Sequence, residues 1–168
     1  MNKIIFLDID GVLNSDIYFN SPAFKEESKG MSWEEIMLIA HHTHLDPVAI
    51  HIFNQLVNRS KAEVVLSSTW RLKYSIEALN NMLKDRGATF QINAVTPKHP
   101  EYIGWSSFPI PRGIEIQAYL NSLDQKPESF VILDDVDNMV HLINYLILVD
   151  DYYGLTTENV EMALNILG

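Results

Sequence analysis

The sequence predicts an α/β fold: an open, three-layer parallel sheet of about five strands with helices on both faces. Three observations carry that expectation. Apolar runs of strand length, such as "KIIFLD" at 3 to 8 and "AEVVLS" at 62 to 67, are continuous rather than alternating, as in strands covered on both sides. Segments with helical periodicity and recognisable caps separate those runs, and strands alternating with helices pair in parallel through helical crossovers. Several runs stop abruptly at Asp or Ser, the residues expected where an open sheet presents its carboxyl edge to a ligand.

Taken in order, residues 3 to 8 form the first strand. "LDPVAIHIFNQLVNRS" follows as a helix with Asp46 as N-cap, Pro47 at the first helical position, and Val48, Ile52, Phe53 and Leu56 along one apolar stripe. The second strand, 62 to 67, leads through "SSTWR" to a helix over roughly Leu72 to Arg86, which Gly87 stops. "TFQINAV" is the third strand, "PRGIEIQAYLNSL" a helix opened by Pro111, "SFVILDD" the fourth strand, "LILVD" the fifth and "TENVEMALNIL" a closing helix. This order is Rossmann-like. One domain over 1–168 is expected, with a small cap-like insertion after the first strand at about 14–45 and a loop at about 96–111, "TPKHPEYIGWSSFPIP". Long loops in compact domains are usually lids or binding loops.

With 168 residues and 47% hydrophobic content the chain is long enough to bury a real core. No apolar stretch approaches the ~20 residues of a membrane span, and the N-terminus lacks the pattern of a secretory signal. A cytoplasmic location and no membrane partner are expected. The chain has no Cys, which excludes disulfides, thiolate catalysis and thiolate-held zinc, so any metal must be held by oxygen or imidazole. The formal net charge of −10 argues against a long basic track on nucleic acid. It is compatible with a small anionic substrate if a divalent cation and one or two local bases supply positive charge.

The strand ends converge on a chemistry. Asp8 and Asp10 follow the first strand, Ser67 and Ser68 the second, and Asp134 and Asp135 the fourth, while Arg112 at the start of a helix reaches the same edge. Clustered carboxylates repel and raise one another's pKa unless a cation sits among them, and an oxygen-only ligand set suits Mg²⁺. Asp8 is then placed to attack phosphorus. The metal and Arg112 neutralise phosphoryl oxygens, and Ser67 donates to one of them. Asp10 is placed to protonate the leaving oxygen and later to take a proton from water. Gly11 lets the chain turn away close to the phosphate, and Ser68 and Arg71 lie near enough in sequence to contact it.

These residues carry a resemblance. "FLDIDGVLN" resembles the first motif of the haloacid dehalogenase (HAD) superfamily, "VVLSS" its second and "VILDD" its acidic fourth, and Arg112 stands where the third supplies Lys or Arg. More closely, "VVLSSTWR", "RGIEIQAYL", "VILDD" and "LVDDYYGLT" are similar to the small HAD domains associated with RNA repair proteins. The resemblance implies a phosphoaspartate mechanism: Asp8 as nucleophile, Asp10 as acid and base, and Mg²⁺ on Asp8, the backbone carbonyl of Asp10 and a fourth-strand acid. Asp135 is favoured as that acid, with Asp134 acting through water or orienting the site. The acid at position 10 implies a phosphatase rather than a dehalogenase, because dehalogenation needs no acid for its leaving group.

The expected function is therefore Mg²⁺-dependent hydrolysis of a phosphomonoester through an aspartyl-phosphate. The substrate is expected to be a nucleotide, another small phosphate ester or a phosphorylated nucleic-acid end, with net charge favouring a small one. The alternatives are a non-catalytic binding module that keeps the fold, and a phosphotransferase or mutase. His41, His42 and His44 are expected as ordinary residues near a helix end, and Tyr102, Trp105 and Phe108 as anchors of the long loop or a stacking surface. Asp137 and Asp150 are explained by a helix start and a sheet-end turn.

Overall fold

The computed structural model describes residues 2–38, 44–98 and 110–168. Strands β1 (Lys3–Leu7), β2 (Glu63–Leu66), β3 (Ile92–Val95), β4 (Ser129–Asp134) and β5 (Leu146–Leu148) form one parallel sheet in the order β3-β2-β1-β4-β5. Each expected strand is present. The apolar runs overshoot the strands at the carboxyl edge, where Asp8, Ser67 and Asp135 leave the ladder for loops. The chain lays down β1, β2 and β3 in one direction, then returns to place β4 on the other side of β1. The reversal between β1 and β4 is a topological switch point, where open α/β sheets bind ligands.

Residue alternation along the strands divides the core. Ile5, Leu7, Val64, Leu66, Val131 and Leu133 face one side, against helices α4 (Pro47–Ser60), α5 (Ile76–Asp85) and α7 (Thr157–Leu167). Ile4, Phe6, Val65 and Ile132 face the other, against Ile116 of α6 (Arg112–Ser122) and Met139 and Leu142 around a 3-10 turn at Val140–Tyr145. Both faces are covered, which is why the strands read as unbroken apolar runs.

Helix α4 starts as its signals predict: the Asp46 carboxylate accepts from Val48 N at 2.8 Å, and Pro47 opens the helix. Its inward face is Ala49, Ile50, Phe53 and Leu56. Ile52 sits at the margin, and Val48, expected in the stripe, is 64% exposed. The helix expected from Leu72 begins instead at Ile76, because two serines divide the segment. Ser68 caps a 3-10 turn at Thr69–Leu72, and Ser75 Oγ accepts from Ala78 N at 3.2 Å to cap α5. Pro111 precedes α6 without a side-chain cap. Asn138 supplies the cap instead, its Oδ1 and carbonyl accepting from Arg112 N and Gly113 N at 3.3 Å each. A Cβ on Gly113 would lie 2.0 Å from the Met139 carbonyl oxygen, so only glycine allows this close seating of α6.

Between β1 and α4 lie three short helices, α1 (Asp16–Phe19), α2 (Pro22–Glu27) and α3 (Trp33–Leu38). Tyr18 and Phe24 form a small core here with Phe19 and Ile36. His44 packs edge-on against Phe24 at 5.5 Å and is half-buried, so it is not the exposed helix-end histidine expected. His41 and His42 lie outside the described residues, as do Tyr102, Trp105 and Phe108. Two ties hold the segment down: Asp16 N and Ile17 N donate to the carbonyls of Asp151 and Tyr152, and Glu27 pairs with Arg86 at 2.8 Å. Among the described residues no helix is long and apolar enough to cross a membrane.

Candidate active site

Parallel register builds the site as a row. Leu7 pairs with Leu66 on one side and Leu133 on the other, and Leu66 pairs with Val95. One step further, Thr96, Ser67, Asp8 and Asp134 stand side by side across four strands. The ladder continues into them, with Thr96 N donating to Leu66 O, Ser67 N to Leu7 O and Asp8 N to Leu133 O at 2.8–2.9 Å. Asp8 is central in this row and 4% exposed.

Asp135 completes the acidic side. Ligand-position oxygens of Asp8, Asp134 and Asp135 lie within 4.8 Å of one another. Burial, and then the charge of Asp8, push the Asp134 carboxyl up to about 8 and the Asp135 carboxyl up to about 6. Arg112 answers part of this charge, with Nη2 at 3.4 Å from Asp8 Oδ2 and Nε at 3.7 Å from Asp134 Oδ2. Burial opposes the guanidinium charge, but Asp8, Asp134, Glu115 and Asp135 more than offset it, and its pKa is raised.

Three buried polar atoms among the described residues have no hydrogen-bond partner: Ser67 Oγ, Arg112 Nη1 and Asp134 Oδ2. Leaving such groups unsatisfied typically costs about 1–3 kcal/mol each. Two of them are donors beside Asp8, and one is an acceptor among the acids, 3.7 Å from Arg112 Nε. Unpaired donors suit an anionic group, and an acceptor among three clustered carboxylates suits a cation. An all-oxygen carboxylate triad is also the donor chemistry of a hard divalent ion, so the residues fit a metal. Asp134 Oδ1 accepts from Val136 N at 3.0 Å, and Oδ2, without a hydrogen-bond partner, lies 3.7 Å from Arg112 Nε.

The carboxylate of Asp10 stands outside the triad. Its Oδ2 accepts from Trp70 Nε1 at 2.9 Å and its Oδ1 from Asn14 Nδ2 at 3.0 Å. Gly11 has φ +70°, and a Cβ there would lie 2.5 Å from Asp135 Oδ2, so its role is close approach to an acid. Its N–H donates to Asn14 Oδ1 at 3.0 Å.

Two residues expected to contact substrate, Arg71 and Ser68, are bonded to groups of the protein itself. Arg71 was expected to approach phosphate, but Nε donates to Thr96 O at 3.0 Å, Nη1 to Ser67 O at 2.9 Å and Ser68 O at 2.6 Å, and Nη2 to Glu115 at 2.6 Å. Its side chain is 3% exposed and ties the ends of β2 and β3 to α6. Burial lowers its pKa, with Glu115 opposing that effect. Ser68 accepts from Trp70 N at 3.4 Å as the cap of the 3-10 turn and is fully buried. Trp70, Asn14 and Glu115 were not singled out from sequence. "SSTWR" contained Trp70, and Glu115 lies one helical turn after Arg112, but neither position is marked without its distant partner.

A cavity of about 280 Å³ opens beside the acids, bordered by Asp10, Asn14, Asp16, Phe19 and Asp135. A larger one, about 650 Å³, lies around Ser129, Gln117, His141 and Tyr145, near the amino end of β4. The smaller one shares Asp10 and Asp135 with the acidic cluster's surroundings.

The motifs and their geometry agree with the comparisons. The chain belongs to the family described as the HAD domain in Swiss Army Knife RNA repair proteins, whose family model matches residues 4–160. Curated proteins and solved structures yield no match.

Proposed function

We propose that the protein is a Mg²⁺-dependent phosphomonoester hydrolase working through an aspartyl-phosphate on Asp8. The observation that carries this reading is the pair of buried donors without a hydrogen-bond partner, Ser67 Oγ and Arg112 Nη1, beside the clustered carboxylates of Asp8, Asp134 and Asp135. Asp8, Asp134 and Asp135, with the carbonyl of Asp10, would hold Mg²⁺, which when bound supplies positive charge to the phosphoryl oxygens. Arg112 and Ser67 bind and orient the phosphoryl group. A carboxylate oxygen of Asp8 bonds to phosphorus as the bond to the leaving oxygen breaks, and Asp10 gives that oxygen a proton. A water then bonds to phosphorus, passing its proton to Asp10 as the bond to Asp8 breaks and phosphate leaves.

The family description supports a phosphorylated nucleic-acid end or nucleotide as substrate, and the net charge of −10 supports a small one. Helices α1–α3 act as a modest cap: Asp16 and Phe19 border the cavity beside the acids. Hydrolysis of an aryl phosphate is expected to require Mg²⁺ and to fall at least about 10³-fold in Asp8→Asn. Undiminished turnover in that variant rules out Asp8 as nucleophile. A panel of nucleotides, 3′- and 5′-phosphorylated oligonucleotides and sugar phosphates ranks the substrates, and equal rates across it remove any claim of base recognition.

A further inference from the structure

We propose that Trp70 and Asn14 are positioning residues that hold Asp10 for proton transfer, an inference that rests on Asp10 being the general acid and base. Each takes one oxygen of the carboxylate: the Trp70 indole N–H at 2.9 Å from Oδ2, the Asn14 amide at 3.0 Å from Oδ1. The Asn14 amide cannot turn over without loss, because its Oδ1 accepts from Gly11 N at 3.0 Å. Both side chains are 2% exposed.

The two anchors come from different parts of the frame. Asn14 belongs to the turn after β1. Trp70 stands on the 3-10 turn that Arg71 fastens to the carbonyls of Ser67, Ser68 and Thr96 and to Glu115 on α6. The indole therefore registers Asp10, a loop residue, against the strand ends that carry Ser67 and Asp8. Proton transfer contributes about 10²–10⁴ in rate, and only when donor and acceptor stand within about 2.6–3.2 Å. An Asp free to rotate about χ1 and χ2 leaves that range much of the time. Each carboxylate oxygen has two lone pairs, so an oxygen that accepts from Trp70 or Asn14 is held in place without losing its capacity to take a proton. In the balanced step Asp10 loses its proton to the leaving oxygen as the P–O bond breaks, and regains one from water as the water oxygen bonds to phosphorus. A buried indole also needs some acceptor for stability alone. Leaving-group dependence separates the two roles.

The test compares an aryl phosphate, whose phenolate leaves with little help, with an alkyl phosphate, which needs the acid. Trp70→Phe and Asn14→Ala are assayed in the full chain, with Trp70 also replaced by benzothienylalanine, a sulfur isostere that keeps the shape and removes the N–H. Turnover of the alkyl ester is expected to fall at least about tenfold further than that of the aryl ester, with KM within about twofold. In an Asp10→Asn background the same changes are expected to add no leaving-group selectivity. Equal losses on both esters, or added selectivity without Asp10, overturn the inference. Independently of turnover, the indole N–H proton resonance of Trp70 is expected to move in Asp10→Ala, and a resonance that stays in place also overturns it. Wild-type protein that hydrolyses neither ester, while that resonance moves, instead marks failure of the phosphatase reading.

Discussion

Asp134 and Asp135 hold protons more tightly in the folded chain than free aspartates do, at about 8 and about 6 against an ordinary 3.8. Between those values the folded state binds more protons than the unfolded state, so the stability these groups contribute is full at low pH and is lost as pH rises through the folded values. The melting temperature of chelator-treated protein is expected to fall between about pH 5 and pH 8, with Mg²⁺ restoring more at pH 8, since binding displaces those protons. Asp134→Asn should flatten the metal-free profile in a thermal melt, and a wild-type profile already flat contradicts the pocket's charge state. Ser67 offers the reverse case. Its hydroxyl has no partner to lose, so Ser67→Ala is expected to leave the melting temperature within a few degrees while lowering kcat by about 10²-fold, as for an oxyanion donor.

Helix α6 is placed by groups remote from it in sequence. Glu115 meets Arg71 at 2.6 Å with both side chains under a tenth exposed, and Gly113 seats on the Met139 carbonyl. Removing one member of a buried pair strands the other, a cost of about 3–5 kcal/mol. Glu115→Ala is therefore expected to destabilise the protein by that order in urea unfolding and to displace Arg112, one turn away, raising KM for the phosphate ester. A variant with unchanged KM and stability would show that the pair does not position α6. The same long reach explains what could be read beforehand. The Asp46 cap and the acids closing apolar runs are local signals and were legible. Arg71 reads as a site residue because it follows Ser67 and Ser68 closely, and its distant partners Thr96 and Glu115, 25 and 44 positions away, turn it inward. Trp70 and Asn14 are invisible as a pair for the same reason: 56 positions part them, and only Asp10 joins them.

At the scale of the whole molecule, the parallel sheet and its five strands were the most legible part, because strands covered on both faces leave unbroken apolar runs, whereas their order β3-β2-β1-β4-β5 emerged only from the structure. The arrangement of α1–α3 was not legible either. Short helices carry weak periodicity, and their placement comes from ties made elsewhere, on Asp151, Tyr152 and Arg86. The Glu27–Arg86 pair is partly exposed and contributes about 0–1 kcal/mol. Arg86→Ala is thus expected to speed amide exchange in α1 and α2 several-fold while leaving the sheet's protection unchanged, and equal protection in both proteins would show that the pair anchors nothing. The row Thr96, Ser67, Asp8 and Asp134 also bears on how the protein is made. Its central residue, Asp8, leaves the ribosome ahead of its neighbour on β4, which is 126 positions behind, about 6–25 s later at ~5–20 residues per second. Through that interval the nascent chain carries Asp8 without the β4 acids that complete the cluster. Activity should therefore switch on late and all at once, when β4 slots in beside β1.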